Sequence, residues 1–444
     1  MRAWSLCLLS AVLVSGWAQT ESPNTPLTLE QAIQIALENN PALQISERSL
    51  QKAQNRVREA RGAGNFQIQG NGTYTRFDRV AKAQFGPQTI RLGNLENRTA
   101  RISLTQPIDI SGIIRNAVRT ATLGETIAEL DFRRARNDLL LQVVEAYQGV
   151  ARAEEFVRVA EEALRNAEER LRLIRAQVDA GVASQFDLLR AETQVAQNQQ
   201  ALLNARNGVQ LAQARLNSIL GRDLETPVQV VLPSHLPDLE GTLETLTERA
   251  YAQRPEVRSA EQGIRLARAN IQNERRGVLP TLALSGQWDF NLNTSSFNPR
   301  RETFTGVAVL SVPIWDGGVT QARVAQARND LQIAELRLKQ TKDLVALEVR
   351  SAYLNLLDAR ARLEVARKGL EQATEALRLA RVRFEAGVSP QLEISDAELA
   401  FTQARTNLVN TQYDYLNAYA ALLKAVGTID TYYLASANQQ GGAL

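Results

Sequence analysis

Two kinds of hydrophobic spacing alternate along this chain, and each occurs twice. From Thr281 to Leu292 the apolar side chains Leu282, Leu284, Trp288, Phe290 and Leu292 stand at every second position, with Gly286 in step. Thr281, Ser285, Gln287, Asp289 and Asn291 fill the places between them. A period of two predicts a strand with one apolar and one polar face. The run 304–314 again puts Phe304, Ala308, Leu310, Val312 and Ile314 on one side, and runs 66–77 and 100–110 form an earlier strand pair. After each pair the spacing turns helical over 113–178 and 319–384, which at 1.5 Å per residue predicts rods of about 100 Å.

Rods of that length must be covered by other helices, and the sequence shows what covers them. Val157, Ala160, Leu164, Ala167, Leu171, Ile174 and Val178 recur at alternating steps of three and four. Val195, Asn198, Leu202, Ala205, Val209, Ala212, Leu216 and Ile219 do the same after a turn. This is a heptad seam with one alanine-rich layer, which predicts a closely packed antiparallel coiled-coil hairpin. The second long helix repeats the pattern through Leu363, Leu370, Leu377 and Phe384, and Phe401, Leu408, Tyr415 and Leu422 continue it on the way back. Return helices are predicted over 185–219 and 391–425. An opening helix from Thr28 to Arg61 is sized to stack end to end on the first of them.

The chain is a duplication. Pro41 and Gly72 match Pro255 and Gly286 at an offset of 214. Pro107, Gly112, Tyr147, Gly181 and Gly221 match Pro313, Gly318, Tyr353, Gly387 and Gly427 at 206. The change of offset places an insertion between Gly72 and Pro107, in the loop joining the first two strands. The organisation predicted is a leader over 1–18, repeats over 19–235 and 236–430, and a tail over 431–444. At the hairpin tips Gly181 and Gly387 supply positive φ for the reversal. Ser184 caps the first return helix, and Ser389 caps the second with Pro390 in its first turn.

Composition narrows the function. Aromatics are 5% of the chain, and Lys+Arg 51 against Asp+Glu 48 leaves no basic stripe for nucleic acid. His235, the only histidine, stands alone in LPSHLPD, with no constellation around it for catalysis, a metal or a cofactor. The opening MRAWSLCLLSAVLVSGWAQTES has Arg2, an apolar run from Leu6 to Val14, and Gly16 and Ala18 placed for cleavage before Gln19. The competing reading is a membrane anchor, for which the run is short. Cleavage removes Cys7, the only cysteine, and leaves an exported chain with no disulfide or thiolate chemistry.

An exported chain with two-faced strand pairs and no spanning helix fits a barrel wall, lipid on one side and water on the other. The alternative is a soluble hairpin packed on the helices. Four strands are too few to close a barrel, for which roughly eight are the minimum, so several copies must contribute. A secreted coiled-coil scaffold or a periplasmic adaptor would account for the helices, but not for duplicated strand pairs.

LTLEQAIQIALENNPAL, the joins QPIDISG and VPIWDGG, the Ala-Tyr pairs at 146–147 and 352–353, and RFEAGVSPQLEISDAE occur in a fixed order and twofold plan. In these the chain resembles the TolC-like outer-membrane efflux proteins over nearly its whole mature length. The resemblance implies a mainly α protein with membrane β: a homotrimer whose twelve-stranded outer-membrane β-barrel continues as a periplasmic α-helical coiled-coil tunnel. It implies a duct for drug efflux or type I protein secretion that works with a periplasmic adaptor and an inner-membrane pump, without active site or cofactor. It also implies a pore constriction at Glu393 and Asp396, which Asp187, the first-copy counterpart, could join. The residues themselves offer a second role for these acids, favouring the helix dipole and solubility. Adaptor contacts are expected at Gly181, Val182, Ala183 and Ser184 and at Arg383, Gly387, Val388 and Ser389. Phe384 and Ser389 replace a tyrosine and an arginine that tether the helices in some relatives. Gln177 stands where the second tip has Arg383, so the two tips are expected to bind a partner unequally.

Overall fold

The structure, a computed structural model, describes residues 26–91, 93–231, 236–238, 241–293, 300–386 and 388–440. The leader with Cys7, as well as His235 and Gly387, lies outside the described residues. The chain opens with α1 (Leu29–Asn39) and α2 (Pro41–Gly62), then β1 (Gln67–Arg76), β2 (Lys82–Phe85), β3 (Gln88–Arg91) and β4 (Glu96–Ile108). The first helical hairpin is α3 (Ile113–Asp179) and α4 (Gln185–Leu220). The second copy gives α5 (Leu243–Gln253), α6 (Pro255–Arg275), β5 (Thr281–Asn291), β6 (Glu302–Ser311), α7 (Val319–Glu385) and α8 (Gln391–Val426), and α9 (Ile429–Gln440) follows.

Two elements differ from the sequence expectation, and the tail, for which only a range is expected, carries structure. The opening helix is two helices, because Pro41 lacks the N–H that would continue the ladder and Asn40 instead caps a new start, accepting from Leu43 N at 3.1 Å. The inserted segment is more than a loop: β2 and β3 pair as a separate antiparallel hairpin. The tail begins as a helix, α9, whose Ile429 and Tyr433 pack into the core of the first copy.

β1, β4, β5 and β6 form one antiparallel sheet in the order β1-β4-β5-β6, so the two copies join at β4–β5. Register sorts its faces. Gly70, Ile102, Trp288 and Phe304 share one row, and Ile108, Leu282 and Leu310 another on the same side. The intervening rows, such as Gln69, Ser103, Gln287 and Thr305, are polar. Ile68, Ile102, Leu104, Trp288, Phe304 and Leu310 are all at least 44% exposed, so none of the described residues covers the apolar face. Among the described residues β1 and β6 each lack a second strand neighbour.

Each join from strand to helix is built by an aspartate and a glycine. Asp109 accepts from Ile114 N and Arg115 N at 3.0 and 2.9 Å, and Asp316 from Gly318 N and Thr320 N at 3.0 and 2.8 Å. Both satisfy free donors of a helix start. Gly112 has φ +70°, and a Cβ there would strike the Arg276 guanidinium, whose Nη1 donates to Ser111 O at 2.5 Å.

Below the sheet α3 packs against α2 and α4 on one flank and α6 and α8 on the other, and α7 lies beyond α6 and α8. The return helices stop where the opening helices break. Asn40 Nδ2 donates to Ile219 O at 2.8 Å, and at the equivalent joint Arg254 Nη1 donates to Ala425 O at 3.4 Å. Thus α4 meets α2, and α8 meets α6, end to end, each pair running beside a 67-residue rod. Tyr147 ties in the connecting segments: its hydroxyl donates to Leu27 O at 2.8 Å and accepts from Val231 N at 2.9 Å. Burial pushes this phenol up to about 12.

The second joint carries charge where the first is neutral. Arg254, 4% exposed, grips Glu256 through Nε at 3.2 Å and Nη2 at 2.9 Å, and Glu348 through Nη1 at 2.5 Å. Lys424 links Glu348 at 3.0 Å to Asp138 at 3.4 Å, and Arg134 lies 3.8 Å from Asp138 and 3.6 Å from Glu256. Three cations and three carboxylates thus form a closed ring across α3, α7, α8 and the start of α6.

Candidate functional site

The residues singled out in the sequence lie at the far ends of the two hairpins. At the first tip Gly181 has φ +72°, and Val182 N donates back to Gln177 O at 2.8 Å, the hydrogen bond of a helix ending in a left-handed residue. Ser184 caps α4 and shares a capping box with Asp187, whose carboxylate accepts from Ser184 Oγ at 2.6 Å. Asp187 is therefore engaged within its own turn. The second tip repeats the reversal, with Val388 N donating to Arg383 O at 3.1 Å.

The start of α8 departs from expectation. Pro390, not Ser389, holds the cap position, because its extended backbone (ψ 155°) precedes the first helical residue, Gln391. Ser389 Oγ donates instead to Glu393 Oε2 at 2.5 Å. Arg383 Nη1 lies 3.2 Å from the other Glu393 oxygen, so Glu393 is paired inside its hairpin. Asp396 is exposed, makes no hydrogen bond or ion pair among the described residues, and borders a polar cleft of about 170 Å³ between α3, α4 and α8. Val182 and Val388 are 78% and 69% exposed at the two turns. Arg383 is half-exposed, Gly181 and Ser184 are exposed, and Ala183 is partly buried.

One side chain that periodicity did not single out joins the two hairpins. Arg170, on α3 and 8% exposed, donates through Nη1 to Ser395 Oγ at 2.7 Å and pairs through Nη2 with Glu398, both on α8. Burial and the nearby Arg381 charge lower its pKa. Further from the tip Arg405 pairs with Glu162, and Arg152 stands 3.9 Å from Asp414. The seam inside each hairpin is apolar, through Ala167 and Ile174 or Leu363, Leu377 and Ala380, whereas the contact between hairpins near the tip is ionic. Arg170→Met is expected to loosen the first turns of α8, with amide exchange over 391–398 at least about tenfold faster, equivalent to about 1.4 kcal/mol of local stability. Adding Glu398→Gln should recover much of the protection, because no buried charge is then left unpaired.

Among the described residues no helix is long and apolar enough to cross a membrane, and no group of His, Cys, Asp and Glu could hold a metal ion. The chain matches the family described as Outer membrane efflux protein over residues 32–222 and 246–428, one match for each copy. Similar sequences include the alkaline protease secretion protein AprF of Pseudomonas aeruginosa, 25% identical over 91% of this chain and 85% of the relative. The outer membrane efflux protein BepC of Brucella suis is 26% identical over 94% of this chain and 89% of its own. The Campylobacter jejuni CmeC outer membrane channel has the same fold, with a TM-score of 0.77 at 18% identity, over 93% of this chain and 89% of that structure. The duplicated plan, the two-faced sheet and these likenesses agree: the chain belongs to the outer membrane efflux protein family, as an exit duct of the outer membrane.

Proposed function

We propose that three copies of this chain close into one duct, in which three four-stranded sheets make a twelve-stranded barrel in the outer membrane and the helical hairpins continue it through the periplasm. The observation that carries this is the sheet itself. Among the described residues it has two unpaired edges and an uncovered apolar face, and in lipid every backbone group must find a partner, which edge-to-edge closure supplies. The apolar rows then face lipid and the polar rows line the lumen. Exposed apolar residues along α7, among them Leu336, Leu347 and Val365, belong to its contact with the α2/α4 flank of the next copy.

The tips receive a periplasmic adaptor, through which an inner-membrane pump delivers cargo. Gly181, Val182, Ala183 and Ser184 form one contact, and Arg383, Gly387, Val388 and Ser389 the other. Supporting this, both turns present an exposed valine beside polar groups. Of the three acids expected at the constriction, Asp396 is the one best placed to act as a ring of negative charge at the pore mouth, because Glu393 and Asp187 are held within their turns. Drug efflux and protein export both fit this geometry, since the pump chooses the cargo.

Cysteine cross-linking tests the closure. In a Cys7→Ser background, cysteine pairs that combine Gln67, Gln69 or Asn71 on β1 with Thr305 or Val307 on β6 should yield a covalent trimer in outer membranes. If every pair stays monomeric, the edges do not meet and the proposal fails.

A further inference from the structure

We propose that the Arg101–Asp289 pair makes the polar wall of the sheet electrically neutral, so that the barrel passes cargo of either charge. The inference rests on the duct reading above. The polar face of the four strands carries amides, hydroxyls and, toward the helices, a few small apolar groups. Its only ionisable side chains are Arg101 on β4 and Asp289 on β5. The two are direct register partners, with Arg101 Nε 2.6 Å from Asp289 Oδ1. Asn71 and Thr303 flank them in the same row, and the adjacent rows offer Ser103 with Gln287 and Thr99 with Asn291. Each charge therefore has one counter-charge on the wall, the other member of the pair.

The pair does little for stability. Its side chains are 50% and 23% exposed, and ion pairs this open contribute about 0–1 kcal/mol. The effect on the field is larger. Threefold repetition places three arginines and three aspartates at one level of the lumen, summing to zero. Loss of either partner would leave three like charges in a ring, the arrangement by which pores select ions. The neutral wall suits a duct whose cargo is chosen before it reaches the barrel, and charge selection is left to the tips.

Reversal potentials of the full-length protein in planar bilayers under a KCl gradient test this, at about 0.01 M salt, where the screening length is about 30 Å. Asp289→Asn should move the permeability ratio toward anions, and Arg101→Gln toward cations, each by about twofold or more. The exchange Arg101→Asp with Asp289→Arg should restore the wild-type value. Single variants that conduct with an unchanged reversal potential would show the pair to be only a strand-register contact and would overturn the inference. A wild-type protein with no conductance would overturn the duct itself, and the inference with it.

Discussion

Arg254→Met is expected to destabilise the helical body by about 3 kcal/mol per chain, the usual cost of removing one partner from a buried ion pair. The guanidinium is buried and holds Glu256 by two hydrogen bonds and Glu348 by one. Without it both carboxylates remain partly buried, with Arg134 and Lys424 as their remaining cations. Denaturant unfolding followed by helical circular dichroism measures the loss. The triple change Arg254→Met, Glu256→Gln and Glu348→Gln should recover most of it, since the uncompensated charge is what costs. Acid should have a related effect. Burial alone would raise both carboxyls, but hydrogen bonds and charge from Arg254 hold them below the ordinary glutamate value of 4.5. A depressed carboxyl stabilises the fold above its unfolded pKa and loses that contribution as pH falls through its folded one. Wild-type stability should therefore drop below about pH 4.5, and that drop should be shallower in the Arg254→Met chain.

Trp288→Arg is expected to cost about 2–4 kcal/mol per chain, because near the middle of the sheet the residue lies on the apolar face, where a cation would meet hydrocarbon. Its neighbour Gln287 lies on the opposite face, and Gln287→Arg should insert almost normally. Resistance to urea extraction from outer membranes reads the difference. Equal behaviour of the two variants would mean that the register rows do not separate lipid from water.

Much of this was legible in the sequence because the signals were periodic. Alternation in Thr281–Leu292 marks a strand whichever protein it occurs in, and the heptad seam of Leu363 to Phe384 marks a paired rod. Duplication doubled each signal, and the order of the motifs gave the family resemblance. What sequence reasoning missed was pairwise and long-range. Arg170, Glu348 and Lys424 look like the solvated charges that any long helix carries. Only the packing of α3, α7 and α8 shows that they meet, across separations such as the 225 residues from Arg170 to Ser395. One local clue was available: Asn40 and Arg254 both precede a proline at a helix start, and arginine is an unusual residue for a cap. The same limit applies at the tip, where Glu393 and Asp396 read alike in sequence until Arg383 and Ser389 are seen to engage one and not the other.

Single-channel recording from the detergent-extracted protein, with its cross-linked mass determined on the same sample, tests the duct most directly. The account predicts a trimer that opens discrete, ion-conducting steps in a planar bilayer. A water-soluble monomer, or a trimer that never conducts, would contradict it.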